Sequence, residues 1–187
     1  MSNQMDYEIN KELGECYLFM GEFDKAEQYY RKASLNSPES AAPYLGLATV
    51  CVQRAELDNA LVLYKKAAQL EASDKAFCGV GLVYMEQNNH EEAFSWFCKA
   101  LDLDVTNIVA LNCLVREAYH LERVDNILPF LEKAIEESAQ GEAVHVTLAG
   151  CLMSLGRYAE AKSHLESILA QNPSNVNAKE LLNSMSA

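Results

Sequence analysis

Four histidines and six cysteines are the side chains here best suited to hold a metal or attack a substrate, and their spacing suits neither task. His90, His120, His145 and His164 pair with no cysteine or acid at a metal-ligand spacing. Cys16, Cys51, Cys78, Cys98, Cys113 and Cys151 are scattered, with no CxxC pair. They read as reduced, mostly buried small apolar residues, not as a disulfide framework. Glu91-Glu92 and Glu136-Glu137 are adjacent carboxylates, and at i,i+1 on a helix they cannot face one another. No glycine-rich phosphate loop, GxSxG or HExxH occurs. His90, beside Glu91 and Glu92 near a helix start, and His120, after Tyr119 at a helix end, read as structural or surface residues. Trp96, next to Phe97, reads as packing. No catalytic, cofactor-binding or metal-binding residue is expected, no cofactor is implied, and the chain is not expected to be an enzyme.

Charge narrows the partners. The 187 residues include 15 basic and 27 acidic side chains, a formal charge of −12. Nucleic acid and anionic membrane surfaces both need cationic side chains, so neither is an expected partner. No apolar run approaches the roughly 18 residues of a membrane span. The first residues, Met1 to Asp6, lack a basic and an apolar signal segment. A cytoplasmic protein is the expectation. Half the residues are hydrophobic and only 22 % are charged, which is enough apolar surface for a substantial core.

What would position any working residue is a repeat. Ala26, Ala60, Ala93, Ile127 and Ala161 recur at steps of 34, 33, 34 and 34. Four residues after each come Tyr30, Tyr64, Phe97, Leu131 and Leu165. Ala33, Ala67, Ala100, Ala134 and Ile168 keep the same step. Earlier in each unit stands a pair: Leu13-Gly14, Leu47-Ala48, Val80-Gly81, Leu114-Val115 and Leu148-Ala149. Tyr17 and Tyr84 follow two of these pairs. Each unit holds two stretches with apolar residues at helical spacing. Small residues on both let the backbones approach, and the aromatics fill the space between neighbouring hairpins. Gly21 and Gly156 mark ends of first helices. Asp58, Asp74, Asn89, Asn107 and Asp125 are expected helix caps. Pro38 and Pro173 stop helices. Ser174 is expected to cap a last helix containing Val176, Ala178, Leu181 and Leu182.

The pattern resembles the tetratricopeptide repeat family over about residues 7 to 173. The resemblance implies an all-α fold, a right-handed superhelical α-solenoid of five helical hairpins with a C-terminal capping helix. The expected units span about 7–40, 41–73, 74–107, 108–141 and 142–174, with the cap at about 175–185, all within one domain of residues 1–187. The fourth unit departs from the pattern. Val115 and Ile127 replace small residues on facing helices, and overpacking such a contact costs about 1–3 kcal/mol. Pro129 is tolerated only in a first helical turn. This hairpin is expected to open wider, with a late start or kink in its second helix.

The family holds peptides or helices in a concave groove lined by the first helix of each unit. Carried onto this sequence, the groove residues are Leu45, Thr49, Val52, Cys78, Leu82, Met85, Asn112, Arg116, Tyr119, Val146 and Met153. Gly46, Gly79 and Gly150 are expected to leave room for a ligand. A family branch clamps acidic chaperone tails with Lys, Asn and Arg. Here those places hold Lys11, Glu15, Gly46, Lys75 and Gly79, so only the two lysines match and that branch is excluded. The expected function is a protein-interaction adaptor or assembly scaffold that binds an apolar peptide or amphipathic helix. Alternatives are self-association through array ends, as in the tetratricopeptide protein that coats magnetosomes, with Tyr7, Ile9, Phe19 and Tyr29 taking part; a secretion chaperone; or a regulatory domain of a larger enzyme.

Overall fold

The computed structural model describes residues 2–137 and 141–185, and among them the chain is entirely helical. Two compact units emerge, one ending at Leu103 and one beginning at Asp104. The first contains α1 (Ser2–Phe19), α2 (Phe23–Asn36), α3 (Ala42–Gln53), α4 (Leu57–Leu70), α5 (Asp74–Glu86) and α6 (His90–Leu103). They pair as hairpins α1/α2, α3/α4 and α5/α6, and α2 and α4 also touch the first helix of the next hairpin, α3 and α5. The second unit contains α7 (Ile108–His120), a 3-10 turn at Val124–Ile127, α8 (Leu128–Glu137), α9 (Gly141–Ser154), α10 (Tyr158–Gln171) and α11 (Val176–Ser184). Residues 138–140, near the end expected for the fourth unit, lie outside the described residues, as do Met1, Ser186 and Ala187, and Gly141, expected to close that unit, instead begins α9.

The spaced alanines explain how the hairpins close. Ala26, Ala33, Ala60, Ala67, Ala93, Ala100 and Ala161 are all fully buried. With only a methyl group at each contact, helix backbones approach closely and retain dispersion contacts along the seam. The aromatic four residues after each alanine then enters a slot formed by glycine. The Tyr30 ring lies where side chains of both Gly14 and Gly46 would stand, the Tyr64 ring covers Gly79, and the Phe97 ring covers Gly81. A Cβ at Gly14 or Gly81 would stand 2.7 Å from the nearest ring atom. Burial pushes the Tyr30 phenol up to about 12, so it stays neutral.

Each hairpin turn contains one residue in the left-handed region, namely Gly21, Ala55, Asn88, Glu122 and Gly156, with φ of 75°, 58°, 59°, 55° and 74°. They recur with the repeat. Glycine takes this conformation without a steric cost and asparagine tolerates it, whereas at Ala55 and Glu122 the Cβ is strained.

The caps partly follow expectation. Asn107 Oδ1 accepts from the Ala110 amide at 3.0 Å, and Asn89 directly precedes α6. The α5 cap is Ser73, whose hydroxyl accepts from the Ala76 amide, so Asp74 is the first helical residue instead. Asp58 lies inside the first turn of α4, where a carboxylate suits the helix dipole but caps nothing. Asp125 sits within the 3-10 turn. Asn175, not Ser174, caps α11, while Ser174 bonds to Asn172. The final helix packs on α9 and α10 and buries Ala178.

The fourth hairpin begins its second half late. Val124–Ile127 winds as a 3-10 turn, and α8 follows with Pro129 at its second position. Proline fits there because amides of a first turn have no intrahelical acceptor. Ile127 is fully buried where the other hairpins place alanine, and α7 makes its close backbone approach to the 3-10 turn, not along α8.

Ion pairs tie the first two hairpins. Arg54, just past α3, reaches Glu27 and Asp24 at 2.5 Å each, and Arg31 holds the other oxygen of Glu27 at 2.7 Å. Hydrogen bonds from Arg54 and then Arg31 hold the Glu27 carboxyl below its usual range.

Two glycines test the slot directly. Gly46→Val should lower stability by about 2 kcal/mol or more, because the new side chain meets the Tyr30 ring. Gly150→Ala, with nothing within 4 Å of its Cβ, should raise stability by about 1 kcal/mol. Urea denaturation of the two variants measures both. Arg54→Ala should cost about 1 kcal/mol at neutral pH. Because the folded Glu27 pKa is depressed, this stabilisation is complete above about 4.5 and is lost as pH falls through the lower folded value. Melting curves of wild type and Arg54→Ala should therefore converge in acid.

Candidate binding cleft

In the first unit, α3 and α5 carry the expected groove residues, and the turn after α3 completes a cleft. Val52, Ala55, Leu57, Tyr64, Leu82, Val83 and Glu86 line a space of about 260 Å³. Its floor belongs to the core made by Ala48, Ala60, Tyr64, Val80 and Val83, against which Leu45, Val52 and Leu57 pack. Apolar side chains meet here because α3 and α5 lie on either side of α4, while the left-handed turn at Ala55 redirects the chain so that Leu57 closes one end. Burying one leucine-sized side chain in such a place contributes about 1.5–3 kcal/mol. Glu86 is the charged group at the wall.

The expected residues divide. Val52 and Leu82 meet in the cleft, and Leu45 and Met85 are half-buried beside them on the same helices. Thr49 is partly committed inside the fold, since its hydroxyl donates to the Leu45 carbonyl at 3.0 Å and lies 3.1 Å from the Tyr64 hydroxyl. Burial raises the Tyr64 phenol, and the Thr49 hydrogen bond offsets this in part. Cys78 does not line a groove. It is only 5 % exposed, next to the Tyr64 ring that fills the space over Gly79. The same rings correct the expectation for Gly46 and Gly79, where Tyr30 and Tyr64 occupy the room expected for a ligand. Of these three glycines, Gly150 alone has nothing within 4 Å of the space its Cβ would take.

In the second unit, Asn112, Arg116 and Tyr119 are exposed along α7, and Val146 and Met153 are half-buried on α9. The Tyr119 hydroxyl lies beside Ser154 and Cys151 of α9. Burial raises its pKa, and the Ser154 bond opposes that.

Position counting along first helices missed Ala55, Leu57, Tyr64, Val83 and Glu86. Ala55 and Leu57 belong to the turn and the second helix, and Tyr64 was assigned to packing alone, whereas it packs and also walls the cleft. Glu117 was missed as well. It is 1 % exposed, with a carboxylate oxygen 3.7 Å from Arg116 Nε. In register it stands where Val50, Val83 and Cys151 are buried, so a charge at an apolar repeat position was the available signal.

Among the described residues, no group of three or more histidine, cysteine, aspartate or glutamate side chains could hold a metal ion. No described helix is long and apolar enough to cross a membrane.

Comparison with known proteins agrees with this architecture. Models described as tetratricopeptide repeat match residues 8–39, 74–106 and 118–185. The BBSome complex member BBS4 of Bos taurus is 31 % identical over 110 residues, covering 58 % of this chain and 21 % of that protein. The chain thus spans about a fifth of the length of the curated relatives it first matches. Among solved structures, pilF of Pseudomonas aeruginosa superposes with a TM-score of 0.73 at 21 % identity, over 97 % of this chain and 83 % of that one. YrrB, described as a TPR protein with an unusual peptide-binding site, gives 0.63 at 28 % identity, over 84 % of each chain. With small-residue seams, inserted rings and left-handed turns all recurring at one period, and with repeat models matching residues 8–39, 74–106 and 118–185, the chain belongs to the tetratricopeptide repeat family.

Proposed function

We propose that this chain is a protein-interaction adaptor or assembly scaffold whose array of hairpins serves as one binding domain, and that its first unit receives an apolar peptide or helix in the cleft between α3 and α5. The observation carrying this is the cleft itself, walled by Val52, Leu57, Tyr64, Leu82 and Val83 with Glu86 at its edge. The apolar wall selects an aliphatic or aromatic side chain, and Glu86 together with the net charge of −12 favours a lysine or arginine beside it. The peptide-binding site named for YrrB supports a peptide ligand. Asn112, Arg116 and Tyr119 form a polar station on the second unit, where Arg116 can pair with a carboxylate or backbone carbonyl. A cytoplasmic setting suits this role.

Self-association is the second reading, favoured by Phe19. That ring is 95 % exposed at the end of α1, and Met5, Ile9 and Met20 are exposed on the same helix and its turn. Tyr7 takes no part in such a surface, because it is buried and its hydroxyl bonds to Ser40 at 2.6 Å. Tyr29 is stacked on Tyr17.

Amphipathic helical peptides, one set basic and one acidic, should discriminate by fluorescence anisotropy. The basic set should bind more tightly, and Leu82→Glu should weaken it at least tenfold, roughly 1.4 kcal/mol or more, with helicity unchanged. Equal binding to Leu82→Glu would move the function out of the cleft. For the second reading, sedimentation of Phe19→Glu should show a smaller species than wild type, and an unchanged species would exclude that surface.

A further inference from the structure

We propose that His145 and His164 form a two-imidazole site for a divalent first-row transition ion of the nickel, copper and zinc group. His145 lies on α9 and His164 on α10, and their Nδ1 atoms are 3.1 Å apart. The ring centroids are 5.3 Å apart and the planes are inclined by 45°. As the rings stand, one N–H donates to the lone pair of the other, so a single proton lies between two neutral imidazoles.

The same geometry fits a chelate. Imidazole nitrogens ligate these ions at about 2.0–2.1 Å, and two nitrogens 3.1 Å apart then subtend roughly 100° at the metal. That angle lies between the square-planar and tetrahedral values. The ion would sit about 1.3 Å off the line joining the nitrogens. Moving from hydrogen bond to chelate shifts one ring's proton from Nδ1 to Nε2, after which both rings present lone pairs inward and no net proton is released. The two rings project from the paired helices of one hairpin, so little conformational freedom remains to be lost on binding.

Glu160 lies one turn before His164 on α10. Both its oxygens are engaged by Arg157, at 2.7 and 2.6 Å, so it acts as a nearby negative charge and not as a ligand. Water completes the coordination. With two protein ligands the site is exchangeable and does not resemble a closed structural zinc site, which uses four. Its occupation would couple metal level to the rigidity of the α9/α10 hairpin.

Nickel is the probe of choice, because imidazole suits it while the thiols of this chain favour softer ions. Calorimetric titration of the reduced, full chain should show one Ni²⁺ bound and a raised melting temperature. His145→Gln and His164→Gln should each weaken binding at least ~10-fold, with helicity retained, while His90→Gln should leave it unchanged. In the unmutated protein, Zn²⁺ should shift the Nδ1 resonances of His145 and His164 in ¹⁵N imidazole spectra, a readout independent of any variant's folding. Undiminished binding in either variant, equal weakening by His90→Gln, or Nδ1 resonances that do not respond would each overturn the proposal.

Discussion

The insertion of an aromatic ring into a slot between glycines is the contact on which the first unit depends. Tyr30 occupies the space of two absent side chains at once, one on its own hairpin at Gly14 and one on the next at Gly46. A single side chain therefore sets both the closure of one hairpin and its distance from its neighbour. Tyr64 and Phe97 repeat the device against Gly79 and Gly81. The buried alanines on the second helices make the close approach possible, and the rings then fill what space is left. Interiors are packed nearly as densely as crystals, so a slot of this kind tolerates little change in volume.

Where the small residues give way, the architecture gives way too. The second unit places Leu131 and Leu165 at the ring positions. Ile127 stands in place of alanine, and the fourth hairpin answers with a 3-10 turn and a shortened helix starting just before Pro129. The change is local, since the α9/α10 hairpin that follows again buries an alanine, Ala161, against its partner helix. Glu117 marks the same hairpin with a charge at a buried position, an arrangement a protein maintains only where the carboxylate is satisfied.

The rings also decide where open space remains. Space that glycines would open along the first helices is taken by Tyr30 and Tyr64. The accessible cleft instead lies toward the hairpin turn, bounded by Ala55 and Leu57 as well as by Val52 and Leu82. Core and cleft share the residue Tyr64, whose ring fills the slot and lines the cleft and whose hydroxyl meets Thr49. A cleft built this way inherits its rigidity from the core beneath it.

The sequence by itself determined the helices, their pairing and the family. Those follow from local periodicity, from alanines and rings recurring at steps of 33 and 34 residues, and from glycine and proline at helix ends, all of which are physical preferences of a chain segment and its neighbours. It also carried the anomaly at Val115, Ile127 and Pro129, because a broken repeat is visible against the intact ones. Only the tertiary structure decided which face of each position is occupied. Gly46 and Gly79 read as open groove until the Tyr30 and Tyr64 rings are placed over them. Ala55 and Glu122 gave no sign of a left-handed backbone, since neither residue type favours it and the turn imposes it. His145 and His164 are 19 residues apart, a separation that matches no ligand motif, and they meet because α9 folds back on α10. Side-chain proximity across helices is set by packing, and packing is a property of the whole fold.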